Sequence, residues 1–516
     1  GDDKVFKKGF LDFKNDINKA MKNLNFFEDD EVLDKKNQLE AMSIACDAIM
    51  ILGQRYSKYA AELAEKEKNS VRKQELVKIS KVCQHVPASA PRTFWEALQM
   101  YWFVHLCVIS ELNPWDAYNP GRLDQHLDPF YKRGMKEGTL TREKAKELLE
   151  CFWVKFNNQP APPKVGVTLK ESGTYTDFAN INVGGVTIDG KNGVNDVSYL
   201  LLDVIDEMRL LQPSSNVQIS KKSPRKFVKR ACEIARKGWG QPSMFNADAV
   251  TQELVRAGKS IEDARCGGTS GCVEAGAFGK EAYILTGYLN LPKIFQITLN
   301  NGIDITTGKK LGIETGDITT FKNYDELFNA FKKQLKYFVD VKIRGNRVIE
   351  KLYASLMPVP FLSTIISDCI LNGKDYNAGG ARYNTSYIQG VGIGTISDSM
   401  IAIKYQVFDK KNITMSQLMD ALKDNFKGHE DILNLVKNKT PKYGNDDDYA
   451  DAVMKQIFDA YYNEVNGRKN GRGGLYRIDM LPTTCHIYFG AVMGATPNGR
   501  KAQAPVSEGI SPEKGA

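Results

Sequence analysis

The sequence predicts an α/β fold, and two observations carry that prediction. First, strand-like segments alternate with helix-like segments from about residue 180: ANINVGGVTIDG, VSYLLLDVIDEMRLL, SSNVQIS, PRKFVKRACEIARKG, QPSMFNADAV and TQELVRAGKS. Such alternation is typical of a largely parallel sheet covered by helices. Second, the chain has 516 residues, which is long enough for one large α/β barrel with insertions and a deep buried site.

The chain before this alternation is predicted to be helical. Apolar residues recur at spacings of three and four between residue 11 and about residue 110. The segment SAPRTFWEALQMYWFVHLCVI begins with a helix-entry signal and is apolar enough to be buried. We therefore divide the chain into a helical N-terminal part, residues 1–95, and a barrel core, residues 96–516.

Later segments continue the mixed pattern. Long helices are predicted over 320–357, in MSQLMDALKDNF and in DDDYADAVMKQIFDAYYNEV. The short apolar runs PVPFLSTI and TTCHIYFGAVMG are interpreted as strands, and the glycine-rich GKDYNAGGARYNTSYIQGVGIGT as a turn-rich segment.

Composition excludes several classes of protein. The 70 basic and 62 acidic residues give a net charge of only +8, and lysines are interleaved with glutamates, so we expect solvated helix faces and no nucleic-acid partner. The nine cysteines include no CxxC pair, which argues against a disulfide framework and a zinc site and favours a reducing, cytoplasmic compartment. No apolar run reaches membrane-spanning length, so we expect no membrane association.

The most informative segment is CGGTSGCVEAGAFGKEAYILTGYLN, which contains Gly271-Cys272-Val273-Glu274. Glycines let a backbone enter a crowded interior. A cysteine held there is suited to one-electron or nucleophilic chemistry, and Glu274 to proton transfer. A buried structural cysteine is the simpler alternative. Phosphate binding is disfavoured because neither GxGxxG nor GxxxxGK[ST] is present, and a Cys–His nucleophile because His105 and His486 are interpreted as core histidines.

Four segments together resemble a known family. NPGRLDQHLDPFY, the cysteine loop at 266–290, GGARYN followed by GVGIGTISDS, and GATPNGRKA occur in the order found in glycyl radical enzymes. The resemblance implies a ten-stranded α/β barrel of two half-barrels surrounded by helices, with the Cys272 loop at its centre. It also implies a homodimer. No cofactor is bound directly: a separate radical S-adenosylmethionine activase installs a glycyl radical, which takes a hydrogen atom from Cys272.

One departure from the family pattern concerns the radical itself. The family carries its glycine in an RVxG[YF] motif, and Arg347-Val348-Ile349-Glu350 is not that motif. The glycyl radical domain is therefore absent from this chain and is expected beyond Ala516 or in a partner. The 516 residues alone are expected to be inactive.

The resemblance also narrows the chemistry. Val273 stands where formate lyases of the family have a second cysteine, so Glu274 points to the members that eliminate water, an amine or sulfite. The residues after Glu274 are most similar to members that dehydrate trans-4-hydroxy-L-proline. That similarity implies a hydroxyproline-like substrate, a second catalytic carboxylate at Asp116, and substrate contacts at Ser172, Phe178, Tyr288 and Thr483.

Plainer interpretations of these residues stay open. Asp116 is alternatively a turn residue, Ser172 and Thr483 alternatively satisfy backbone groups, and Phe178 and Tyr288 alternatively fill the core. The wider alternatives are a diol dehydratase, choline lyase or arylacetate decarboxylase of the same family, and a non-catalytic barrel fragment.

Overall fold

The structure is a computed structural model that describes residues 1–112, 118–158, 179–271 and 273–513. The chain divides into two compact units. Unit 1 comprises Gly1–Ala282 and Leu352–Asn384, and unit 2 comprises Tyr283–Lys351 and Thr385–Ala516. The predicted boundary near residue 95 stays a prediction.

Helices dominate the described part of the chain. They are α1 (Lys4–Lys7), α2 (Phe10–Lys22), α3 (Val32–Lys66), α4 (Ser70–His85), α5 (Phe94–Glu111), α6 (Leu123–Lys136), α7 (Arg142–Asn157), α8 (Asp196–Met208), α9 (Arg225–Ala235), α10 (Ala247–Arg256), α11 (Ile261–Arg265), α12 (Leu291–Leu299), α13 (Tyr324–Leu356), α14 (Pro360–Ile365), α15 (Cys369–Asn372), α16 (Ile393–Ala402), α17 (Met415–Lys423), α18 (Glu430–Asn438), α19 (Asp448–Val465) and α20 (Cys485–Ala491). Short 3₁₀ turns occupy Ile318–Thr320 and Tyr376–Ala378, and a π-helical segment spans Ile403–Asp409. None of the helices in these described ranges is both long and apolar enough to cross a bilayer.

The strands are β1 (Asn180–Gly184), β2 (Ser214–Ile219), β3 (Ser243–Asn246), β4 (Gly268–Ser270), β5 (Glu274–Gly276), β6 (Glu281–Asn290), β7 (Ile303–Asp304), β8 (Lys309–Lys310), β9 (Tyr383–Val391) and β10 (Leu475–Asp479). In unit 1, β1, β2 and β3 form a parallel sheet, and β4 pairs antiparallel with β5. A second sheet, chiefly in unit 2, has the order β10–β9–β6, with β10 parallel to β9. Parallel β1, β2 and β3 alternate with α8, α9 and α10, which confirms the predicted α/β alternation.

Each unit has its own apolar core. In unit 1, Ile181, Val183 and Val217 lie fully buried on the sheet, in the same cluster as Leu201 of α8 and Phe227 of α9. In unit 2, a separate cluster includes α12, α13 and α19 side chains around strands β9 and β10. The predicted buried helix is confirmed as α5, whose first turn is capped by the Thr93 hydroxyl accepting a hydrogen bond from Glu96 N.

Two strand predictions were wrong. PVPFLSTI contains helix α14, which has Pro360 in its first turn, and the Glu111 carboxylate accepts hydrogen bonds from Phe361 N and Leu362 N, each at 2.9 Å. Burial raises the pKa of this capping carboxylate to about 7. TTCHIYFGAVMG contains helix α20 instead of a strand. Short apolar runs cannot be assigned from periodicity alone, and the cap of α14 comes from a residue 250 positions away.

Candidate active site

The cysteine segment folds as a tight hairpin in unit 1. Strand β4 pairs with β5 so that Ser270 lies opposite Glu274 and Gly268 opposite Gly276. Cys272 itself lies outside the described residues, as do three other predicted site residues, Asp116, Ser172 and Phe178. Their predicted roles therefore stay predictions.

Glu274 is partly buried at the start of β5 and folds back over the hairpin turn. Its Oε2 accepts a hydrogen bond from Val273 N at 3.1 Å. Gly271 has φ +52°, and a Cβ added there would come within 2.6 Å of Glu274 Oε2. A side chain at position 271 would therefore displace the carboxylate as well as strain the backbone.

Replacing Gly271 with alanine is expected to lower the unfolding temperature of the protein. The left-handed backbone costs an L-residue about 1–2 kcal/mol, and the new methyl group must push Glu274 from its place. Gly138→Ala is the matched control, because Gly138 has φ +68° and no atom lies within 4 Å of the point that its Cβ would occupy. A Gly271→Ala variant that unfolds at the same temperature as Gly138→Ala would show that only backbone strain matters.

Two buried side chains of opposite charge, Arg122 and Asp124, lie near the base of the hairpin. Arg122 donates from Nε to Gly267 O at 2.9 Å and from Nη1 to Gly184 O at 2.8 Å. Asp124 accepts from Gly184 N at 2.7 Å and from Ser198 Oγ at 2.5 Å. Burial raises the pKa of Asp124 to about 6 and lowers the pKa of Arg122 to about 10. These side chains lie in the motif NPGRLDQHLDPFY, but sequence reasoning assigned them no role.

Asp124 should make the stability of the protein depend on pH. Its pKa rises from 3.8 to about 6 on folding, so its contribution is fully present below pH 3.8 and is lost as the pH rises through 6. The shift of about two units corresponds to about 3 kcal/mol. The stability advantage of the native protein over Asp124→Asn should therefore shrink between pH 4 and pH 7, as measured by unfolding midpoints.

A companion variant tests the cause of this pH dependence. The Ser198 hydroxyl lowers the Asp124 pKa by donating to its carboxylate. Ser198→Ala should therefore move the pH window of stability loss upward. A difference between the native protein and Asp124→Asn that stays constant across the pH range would contradict the prediction.

Two predicted substrate contacts meet in unit 2. The Tyr288 hydroxyl lies 2.6 Å from Thr483 Oγ1, and the tyrosine ring packs against a small cluster of Val391, Met493 and Val506. Thr483 has φ +51°, a strained conformation for a β-branched residue, and such strain is concentrated at functional sites. The structure brings these two hydroxyls together, while their role toward substrate stays a prediction.

Sequence reasoning also missed four buried amide side chains next to the hairpin. They are Asn180 and Asn182 on β1 and Asn216 and Gln218 on β2, and we call them the amide ladder. Each donates a hydrogen bond to β4 or to Gly271. The sequence contains a sign of these residues, because polar amides stand at alternate positions of both strands.

Parallel strands covered by helices, with the β4–β5 hairpin hydrogen-bonded to side chains of β1 and β2, define an α/β protein. The model of the pyruvate formate lyase-like family matches residues 1–490. The chain therefore belongs to this family of glycyl radical enzymes, as its motifs predicted.

Relatives and solved structures agree with this assignment. The chain is 65% identical over 513 residues to trans-4-hydroxy-L-proline dehydratase of Clostridioides difficile, covering 99% of the chain and 65% of that relative. It is 35% identical to (2S)-3-sulfopropanediol dehydratase of Klebsiella oxytoca over 94% of the chain and 59% of that relative. The chain thus spans about two thirds or less of the length of these relatives.

Comparison with solved structures also supports membership of this family. A crystal structure of hydroxyproline dehydratase from Clostridioides difficile with trans-4-hydroxy-L-proline bound matches with a TM-score of 0.97 and 65% identity, over 99% of this chain and 65% of that one. The glycerol-bound B12-independent glycerol dehydratase from Clostridium butyricum matches with a TM-score of 0.94 and 36% identity, over 99% of this chain and 64% of that one. The predicted fold class is confirmed.

Proposed function

We propose that the chain acts in a glycyl radical dehydratase, a hydro-lyase that converts trans-4-hydroxy-L-proline to 1-pyrroline-5-carboxylate. The observation that carries this proposal is the 65% identity to a trans-4-hydroxy-L-proline dehydratase over 99% of the chain. Identity falls to 35% for the sulfopropanediol dehydratase and 36% for the glycerol dehydratase. A gap of this size favours the amino-acid substrate over a diol.

The hydrogen-abstraction step belongs to Cys272. The glycyl radical of the family supplies the unpaired electron in this scheme. The apolar Val273 side chain beside Cys272 is 40% exposed in the described structure. In our proposal this exposed side chain is where the segment that carries the glycyl radical approaches the hairpin. In our proposal the Cys272 sulfur takes a hydrogen atom from C5, the substrate ring carbon bonded to both the nitrogen and C4, which leaves an α-amino radical.

Glu274 serves the elimination step. Hydroxide is a poor leaving group, so Glu274 protonates the C4 hydroxyl and water departs. Cys272 then returns its hydrogen atom to C4, and the ring N–H loses a proton as the C=N bond forms. The balance is the loss of one water molecule. Positioned proton transfer of this kind contributes about 10²–10⁴ in rate.

The remaining predicted residues bind substrate in this scheme. Asp116 accepts a hydrogen bond from the C4 hydroxyl or the ring ammonium, and Phe178 packs on the ring. Ser172 and Thr483 hold the carboxylate. The Tyr288–Thr483 hydrogen bond of 2.6 Å supports this arrangement, because two linked hydroxyls can orient one another toward an anionic group.

Replacing Tyr288 with phenylalanine should raise the KM for hydroxyproline about fivefold, with a smaller change in kcat. The variant loses the hydrogen bond that orients the Thr483 hydroxyl, and one neutral hydrogen bond contributes about 1 kcal/mol. Steady-state kinetics of the activated enzyme measures both constants. Phe489→Leu is a control that alters packing of the same cluster without removing a hydroxyl. An unchanged KM in the tyrosine variant would remove Tyr288 from the binding site.

The proposal as a whole is tested by turnover on a small substrate panel. The intact protein should be activated anaerobically by its radical S-adenosylmethionine activase and offered trans-4-hydroxy-L-proline, 1,2-propanediol, choline and an arylacetate. We expect pyrroline-5-carboxylate from the first alone. Activity only on another substrate would show that the protein belongs to another functional branch of the family. Failure of the intact protein to form a glycyl radical, with no turnover on any substrate, would favour a non-catalytic barrel.

The proposal extends to partners and compartment. We infer an activating enzyme and a homodimer from the family, and a reducing cytoplasmic setting from the nine cysteines without a CxxC pair.

A further inference from the structure

We propose that the amide ladder acts as a set of positioning residues for Cys272. The inference rests on the proposed function only in that Cys272 must exchange hydrogen atoms with the glycyl radical. The ladder consists of the side chains already named, Asn180, Asn182, Asn216 and Gln218. Each is at most 2% exposed, so all four side chains are buried in the protein interior.

The parallel register of β1 and β2 creates the ladder. Asn182 pairs with Asn216, and Gly184 pairs with Gln218. Since side chains alternate across a strand, residues two apart share one face of the sheet. Ile181 and Val217, between the amides, belong to the apolar core of unit 1. One face of the sheet therefore joins the core and the other presents amides.

The amides bind one short strand. Asn182 hydrogen-bonds both backbone groups of Thr269. Its Nδ2 donates to the Thr269 carbonyl at 2.8 Å, and its Oδ1 accepts from the Thr269 N–H at 3.2 Å. Asn216 and Gln218 donate to the Thr269 hydroxyl at 2.9 and 3.1 Å. Asn180 donates to the carbonyl of Gly271. The contacts thus end at the residue that immediately precedes Cys272.

A glycine makes this close approach possible. A Cβ at position 268 would lie 2.7 Å from Asn182 Oδ1. The run of glycines in the cysteine loop therefore does more than permit a turn, because Gly268 lets the strand rest directly on the ladder.

The chemistry explains why the ladder is made of amides. Hydrogen-atom transfer requires an S–H bond, and a neighbouring cation would favour the thiolate. Neutral amides fix the strand without adding charge beside the sulfur. Arg122 is a cation that binds the carbonyl of Gly267, the residue before β4, and the charge of Asp124 acts on its guanidinium. The ladder therefore sets position and leaves the protonation of the thiol unchanged.

Asn182→Leu tests the proposal in the intact, activated enzyme. In D₂O, the thiol carries deuterium. Cys272 donates this atom to the glycyl Cα as its S–D bond breaks and a C–D bond forms, the unpaired electron passes to sulfur, and return of the protium atom leaves deuterium on glycine. The electron paramagnetic resonance doublet then collapses. We expect this exchange to slow roughly 10²-fold, because a displacement of about 1 Å costs that much. The yield of glycyl radical should be unchanged, and kcat should fall while KM stays constant.

Thr269→Val provides a second variant that preserves shape. It removes the hydroxyl that two ladder amides bind, and we expect the same slowed exchange, whereas Thr269→Ser should retain the native rate. Val217→Ala is the matched control, because Val217 is fully buried on the same strand as Asn216 and Gln218 but joins the apolar core. It should lower the unfolding temperature without slowing exchange.

The outcomes separate the two proposals. Native exchange rates in Asn182→Leu and Thr269→Val, or equal slowing in Val217→Ala, would overturn the positioning role. The exchange needs no substrate, so a failure of the native enzyme to dehydrate hydroxyproline overturns only the proposed function.

Discussion

Replacing Cys272 with alanine is expected to abolish dehydration of trans-4-hydroxy-L-proline while the protein stays folded. In the proposed mechanism this sulfur alone carries the unpaired electron to the substrate. Removing it should therefore forfeit most of the rate enhancement, at least about 10⁶-fold for enzymes in general. The measurement is pyrroline-5-carboxylate formation by the activated protein, together with the unfolding temperature.

A nearby cysteine serves as the control for this variant. Cys266 lies at the base of the same hairpin, where its N–H continues helix α11 by bonding to Glu262 O. Burial raises the pKa of its thiol. Cys266→Ala should remain active, and both variants should accept the glycyl radical. Turnover of Cys272→Ala within tenfold of the native enzyme would remove Cys272 from the mechanism.

The alternation of β1, β2 and β3 with helices was predictable because each signal is local. Strands of four to six residues are flanked by Asp-Gly, Ser-Pro or Gln-Pro turns, and the helices between them carry apolar residues at helical spacing. The roles predicted for the site residues stay predictions. The closeness of Gly271 and Glu274 follows from a spacing of three residues across one tight turn.

Features that depend on distant pairing were not predictable. Helix α14 is capped by Glu111, 250 residues earlier, so PVPFLSTI contains one helix-start signal, Pro360, but not the carboxylate that caps the helix. The amide ladder requires knowing that ANINVGG and SSNVQIS pair in register. Thr483 adopts a left-handed conformation without the glycine that usually announces one. In each case the observed structure depends on tertiary contacts that the local sequence does not specify.

Replacing Glu274 with glutamine is expected to lower kcat for hydroxyproline about 10²–10⁴-fold with little change in KM. Glutamine has the same shape, and its amide oxygen can still accept the hydrogen bond that Val273 N donates to Glu274 Oε2. It cannot protonate a departing hydroxyl. Hydrogen abstraction should survive, so the glycyl radical should exchange with D₂O at the native rate.

A substrate with a different leaving group separates proton donation by Glu274 from any structural effect of the substitution. Trans-4-chloro-L-proline, with the same ring and carboxylate, loses chloride without needing a proton. If Glu274 is the general acid, the glutamine variant should process the chloro compound at close to the native rate while remaining slow on hydroxyproline. Equal losses on both substrates would instead assign Glu274 to positioning of the hairpin, since a displaced Cys272 slows abstraction from either compound by the same factor.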